Sequence, residues 1–247
     1  MNWKNVVLLA AIVHASPAFA ANPKNCLEIQ MNNFSASDGE YTIEPTTGIV
    51  FNVYCRWMAQ WAPSEYLTLV NTGGDSNFGQ YTAGGASPGT NVRTSFTRVR
   101  IDPATLLVDI GDLTFATSTG ELTHANGGPV TTAPYGVALD CAGGSSQTGI
   151  ANIDLTGTPF QVKGTFFAHG WYPAGSVSAD GGPEIPLASS FPPNGATDVA
   201  IHAKVLTVRG GGYCGSAGPH GINSAHGRWL VPSPGIFALQ LDYDPGH

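Results

Sequence analysis

The sequence predicts an all-β or β-rich single domain of many short antiparallel strands carrying two disulfides. Three observations carry that prediction. Charged residues make up only 11% of the 247-residue chain, while Gly (32) and Pro (18) are abundant. That balance suits short strands joined by tight turns better than helices with charged outer faces. Several segments alternate apolar and polar residues with the period of two of half-buried strands. Four cysteines, an even number suited to an oxidising compartment, all lie after residue 20.

The first element is a secretory signal. Lys4 supplies a positive n-region, VVLLAAIV (6–13) an apolar core, and Ala18 and Ala20 an A-x-A cleavage pattern. The apolar run falls short of the roughly 20 residues that cross a bilayer, which disfavours a retained anchor. Residues 1–20 are read as signal and 21–247 as the mature β-rich domain, secreted to an extracellular or periplasmic space with no membrane span. Loss of Lys4 takes the formal net charge from −7 to −8. That argues against a general nucleic-acid binder, which needs a basic face to displace counterions.

Along the mature chain, residues 38–53 read as a hairpin: DGEYTIEP, a TTG turn, then IVFNV. EYLTLVN (65–71) is a further strand, followed by a polar, glycine-dense loop over 73–90. SFTRVRI (95–101) and 106–110 form a pair around an Asp102-Pro103 turn. Further strands are expected at 149–155, 158–162, 199–209 and 236–243. Residues 173–198, rich in Pro, Gly, Ser and Ala, read as a long loop or linker. No stretch carries a convincing helical period, although Trp57 and Trp61 in RWMAQWAP stand one helical turn apart.

Cys26, Cys55, Cys141 and Cys214 admit two readings, disulfides or one zinc site. Structural zinc sites bring their cysteines in close C-x2-C-like pairs, none of which is present, so disulfides are expected. Four cysteines allow three pairings.

Catalytic patterns are sparse. There is no H-E-x-x-H, the arrangement that puts two zinc ligands and a general base on one helix. His202, His220 and His226 are the weak candidates for a metal. The last two are six apart in GPHGINSAHG, the wrong spacing for one helical face. Serines 145, 146 and 216 sit in glycine-serine turns, not in a G-x-S-x-G elbow. Asp109 and Asp112 read as turn formers rather than paired glycosidase carboxylates. GGGYCG (210–215) lacks the Lys and Ser/Thr of a phosphate loop, and its glycines are expected to let the backbone turn around Cys214. Arg93, Arg98 and Arg100 form a local basic cluster in which Arg98 and Arg100 share a strand face. They read as a solvated face or a contact for a small anion or glycan. Trp57 and Trp61 are weak candidates for a sugar or matrix platform, and Trp171, Tyr172 and Trp229 are weighed with them.

Ordered short motifs then bring out a resemblance. CLEI from Cys26, DGEY from Asp38, VYC ending at Cys55 and followed by Met58, and PSEYLTLVN from Pro63 lead it. They are followed by Asn77-Phe78, FTRVRID from Phe96, DLTFA from Asp112, and Pro134-Tyr135-Gly136 ahead of Asp140-Cys141. IDLTGT from Ile153 and GGYCG from Gly211 complete it. In this order, over about residues 26–216, the sequence resembles the GON domain, the C-terminal module of some secreted ADAMTS metalloproteases. The resemblance implies a secreted, noncatalytic binding or structural module. Metallopeptidase activity and zinc come by family association alone, so no cofactor is expected; in those proteins the catalytic domain is a separate module. The family's domain is richer in cysteine, and the insertions at 73–93 and 173–198 differ here. The opening also resembles fibrinogen-like domains, whose corresponding first two cysteines are bridged, which implies Cys26–Cys55 and Cys141–Cys214. The expected partner is an extracellular protein or a glycan, as for an adhesin. Asn33-Phe34-Ser35 is a glycosylation acceptor pattern in a eukaryotic host.

Overall fold

The computed structural model describes residues 22–124, 127–142, 147–187, 199–220 and 238–246. The signal segment therefore lies outside the described residues. The chain opens with one short helix, α1 (Cys26–Asn32), and continues as strands. These are β1 (Gly39–Thr46), β2 (Ile49–Arg56), a single 3-10 turn (Met58–Gln60), β3 (Ser64–Thr68), β4 (Phe78–Thr82), β5 (Val92–Phe96) and β6 (Arg98–Asp102). After them come β7 (Leu107–Asp109), β8 (Ala116–Thr119), β9 (Leu122–Thr123), β10 (Pro129–Val130), β11 (Ala138–Asp140) and β12 (Gly149–Asp154). The last are β13 (Phe160–Ala179), β14 (Glu184–Pro186), β15 (Val199–Ala203), β16 (Val205–His220) and β17 (Ala238–Tyr243). The fold is β-rich, as the composition predicts.

Fifteen strands form one sheet in the order β1-β2-β3-β6-β7-β17-β13-β16-β11-β4-β5-β8, with β12, β14 and β15 attached beside that path. The pairing is antiparallel except between β4 and β11. The main core gathers Phe51, Val53, Ile101, Ile153, Phe160, Phe166 and Leu206 from strands spread along the whole chain. Burying those side chains supplies the main folding drive.

Both disulfides form as the resemblance implies, Cys26–Cys55 and Cys141–Cys214, leaving no free cysteine among the described residues. The four-cysteine zinc reading is thereby set aside. The 38–53 hairpin is present as β1–β2, with Gly48 at positive φ in the turn.

Several local expectations are corrected, the first being that no stretch is helical, since Cys26–Asn32 forms α1. The 73–90 loop contains β4, whose Phe78, Gly79, Gln80 and Tyr81 are all buried. Successive side chains point to opposite faces of the sheet, so four consecutive buried residues mean that both faces are covered and no alternation appears. The 95–101 strand is two strands, because burial slips out of phase between Phe96 and Val99, three residues apart. The 199–209 strand breaks at Lys204, whose backbone N–H donates to Asp180 and whose ammonium reaches the carbonyls of Thr158 and Phe160. Finally, residues 173–179 of the expected 173–198 loop belong to β13. Pro173 is tolerated there because the β13–β16 ladder shifts register between Trp171 and Pro173. Residues 188–198 lie outside the described residues.

GGGYCG runs within β16 and makes no tight turn, but the strand bulges at Cys214 (φ 56°), which the ladder to β13 skips. Gly210 and Gly211 lie inside β16, where a Cβ on Gly211 would sit 2.1 Å from an Asp140 carboxylate oxygen and one on Gly210 2.5 Å from the Ala138 carbonyl. Asp140 is buried and accepts from Thr148 N–H (2.7 Å), Thr148 Oγ1 (2.7 Å) and Gly149 N–H (3.1 Å). A second buried polar hub surrounds Asn77. Its side chain donates to the carbonyls of Asn71 (2.7 Å) and Asp154 (2.8 Å), and accepts from Tyr135 Oη (2.6 Å) and Asp154 N–H (2.8 Å). Each polar group is satisfied, as burial requires.

Candidate binding surface

Helix α1 is too short to hold itself in water, and four contacts fix it. Asn25 caps it by accepting from Glu28 N–H (2.8 Å). The Cys26–Cys55 bridge ties its first residue to β2. Glu65 of β3 accepts from Cys26 N–H (2.8 Å), and Gln30 donates to the Met58 carbonyl of the 3-10 turn. Burial pushes the Glu65 carboxyl above its ordinary value, an effect that the Cys26 N–H bond opposes.

The 3-10 turn is flanked by Trp57 (φ 62°) and Trp61 (φ 56°), left-handed conformations uncommon for bulky residues. Asp38 holds its entry by accepting from Met58 N–H (2.8 Å) while paired with Arg56 (2.5 Å). Burial alone would raise the Asp38 carboxyl, but these donors hold it below the usual range. With that backbone, Met58 enters the core, Trp57 packs edge-on against buried Tyr66 (6.2 Å), and Trp61 points outward.

Trp61 is 54% exposed and stacks at 5.5 Å, tilted 43°, on Phe34, which is 75% exposed. Leu27 and Met31, four apart on α1, are exposed as well. The exposed Phe34–Trp61 pair thus stands next to the 3-10 turn and the disulfide-tied helix α1. Sequence reasoning singled out Trp61 but missed Phe34, which reads only as the middle of a glycosylation pattern.

Arg98 and Arg100 share one face of β6, as their spacing predicts. The Arg98 guanidinium lies 4.1 Å from the Tyr54 ring centre and 4.9 Å from that of Phe115, donates to Thr68 Oγ1 (2.9 Å) and approaches Glu40 (3.6 Å). Arg100 approaches Asp112 at 3.9 Å. Arg93 stands apart on β5, over the Phe78 ring (3.5 Å) and bonded to Asp75 (3.2 Å). Beside Arg100, a cleft of about 580 Å³ is lined by Asn25, Leu27, Glu65, Asp102 and Asp109 among others.

His202 is exposed on β15, opposite Lys163. His220 ends β16 opposite Thr165; its side chain, with those of Trp171 and Tyr172, is not among those described. His226 and Trp229 lie outside the described residues. Among the described residues, a ligand-type group that does converge is one the sequence could not assemble: His124, Cys141 and Cys214.

No curated protein and no solved structure matches the chain. A family model, the GON domain, matches residues 23–91. The motifs from Phe96 onward lie beyond that match. The matched stretch contains α1, the first hairpin, the Cys26–Cys55 bridge and the Phe34–Trp61 pair, and over this part the chain is similar to the GON domain.

Proposed function

We propose that the chain is an exported, noncatalytic binding module whose contact surface is built on the exposed Phe34–Trp61 pair. The observation that carries this reading is two tilted aromatic rings left largely in water beside a helix fixed by a disulfide, a cap and a part-buried carboxylate contact. Apolar groups that cluster in solvent on a rigid support mark contact sites, and pre-ordered aromatic anchors lose little entropy on binding.

The chemistry favours a protein partner with an apolar pocket. The two rings are tilted rather than coplanar, and their exposed companions on α1 are aliphatic. A sugar ring, by contrast, asks for one flat face with polar groups around it. Export fits the two disulfides, which persist in oxidising compartments. N-terminal sequencing of the exported protein should begin at Ala21; a start at Met1 contradicts cleavage.

The binding reading is tested by crosslinking the native protein and a Phe34→Ser/Trp61→Ser variant to their own secretome, alongside a glycan array. A protein partner crosslinked to the α1 end by the native protein and lost by the variant supports it. Array binding that the variant abolishes moves the surface to glycans. Partners retained equally by both proteins refute it.

A further inference from the structure

We propose that Cys141, Cys214 and His124 form a redox-gated site for a thiophilic divalent cation of the zinc class, closed while the two cysteines are bridged and opened by a dithiol. The two disulfides differ in their surroundings. Cys26 and Cys55 are both fully buried in the main core. Cys214 is only half-buried, inside β16 next to Tyr213, which is exposed. Cys141 lies in a small satellite cluster with Tyr81, Val92 and Leu122.

Polar groups converge on the Cys141 sulfur. Tyr81 Oη is 3.1 Å from it and His124 Nδ1 3.7 Å, while Tyr81 Oη also contacts His124 Nδ1 and Ser87 Oγ. With Zn–S near 2.3 Å and Zn–N near 2.05 Å, tetrahedral geometry asks for a sulfur–nitrogen edge of about 3.6 Å. The Cys141–His124 separation already matches that edge. The ligand atoms of all three residues lie within 4.8 Å of one another.

Opening proceeds by ordinary exchange. A thiolate of the incoming dithiol attacks the Sγ of Cys214, the less buried of the two cysteines, forming a mixed disulfide as the Cys141–Cys214 bond breaks. Cys141 leaves as a thiolate, at an atom that Tyr81 Oη already faces, and takes a proton from solvent. The dithiol's second thiol then resolves the mixed disulfide. The dithiol is oxidised by two electrons to its own disulfide, and both cysteines are reduced. Cation binding displaces the two thiol protons to solvent. Two thiolates and one imidazole leave a fourth position for water.

The test treats folded protein with dithiothreitol, removes it anaerobically and maps free thiols by alkylation. Cobalt(II), the spectroscopic probe for zinc, is titrated into a separate, unalkylated aliquot of the reduced protein. The expected result is alkylation of Cys141 and Cys214 with Cys26–Cys55 intact, and one equivalent of cobalt bound with thiolate-to-metal absorption. The bridged protein should show no such absorption. His124→Ala should weaken the reduced site by at least about tenfold, the lower end of what losing even an outer-shell partner costs. Cys141→Ala/Cys214→Ala, the folding control, should keep its circular dichroism and show no thiolate–metal absorption. Absence of sulfur–metal absorption in the reduced protein overturns the proposal. So do equal affinity in His124→Ala, and opening of both bridges or of neither in the folded state.

Discussion

Replacing Cys26 and Cys55 together by alanine tests how the aromatic patch is supported. The bridge spans 29 residues of sequence and ties α1 to β2. In the chain-entropy account, a loop of that length stabilises the fold by about 3.6 kcal/mol. Alanine is preferred to serine, because both positions are fully buried and a hydroxyl there adds the cost of an unsatisfied polar group. For a domain of this size each kcal/mol moves the midpoint by about 2–4 °C, so the melting temperature should fall by roughly 7–14 °C. Urea melts give the free energy directly, and hydrogen exchange locates it. The Ile29 and Asn33 amides, which donate to Asn25 and Ile29 carbonyls, should lose protection before those of β12. A fall below about 3 °C, with those amides still protected, would refute the argument that the bridge holds α1.

Two further changes probe the interior. Tyr135→Phe removes the hydroxyl that donates to Asn77 Oδ1 at 2.6 Å; because Asp154 N–H still serves that oxygen, the loss should be about 1–2 kcal/mol in urea melts, and a neutral effect would show that the hub is not coupled. Burial first, and the nearby Asp154 charge second, hold the Tyr135 phenol far above its ordinary range, so it should stay protonated in an alkaline absorbance titration until the protein unfolds. Glu65→Gln tests the carboxyl beneath α1. Its folded value lies above the ordinary 4.5, so between those two values the folded state binds more protons and stability falls as pH rises. The native protein should therefore gain on Glu65→Gln as pH drops towards 4.5; a difference that does not change with pH contradicts the assignment.

The first hairpin was legible because both strands alternate and Gly48 marks the turn. β4 was not, since a strand buried on both faces carries no alternating pattern. α1 went unseen because seven residues hold too little periodicity, and contacts distant in sequence, Cys55, Glu65 and Met58, keep it helical. The left-handed Trp57 and Trp61 belong to the same class, set by Asp38 gripping the Met58 amide. The short motifs of the GON resemblance turn out to meet inside the molecule. Cys26 joins Cys55, Asp38 holds Met58, Asn77 holds Tyr135 and Asp154, and Gly211 makes room for Asp140. They specify a scaffold, which is why they point to a fold more sharply than to a ligand. The patch was half legible: Trp61 stood out by type, whereas Phe34 needed its exposure and its stacking distance. His124 lies in a turn-rich stretch far from both cysteines, and pairing of strands alone brings them together.

The central claim, that the Phe34–Trp61 end is the contact surface of a noncatalytic module, is tested most directly by comparing the native protein with Phe34→Ser/Trp61→Ser for binding to the crosslinked secretome partner. Both side chains are exposed, so the variant should melt within about 2 °C of the native protein, as surface substitutions do. The account predicts that affinity falls by at least about tenfold, a loss of roughly 1.4 kcal/mol. Unchanged affinity in a variant that melts like the native protein would contradict it.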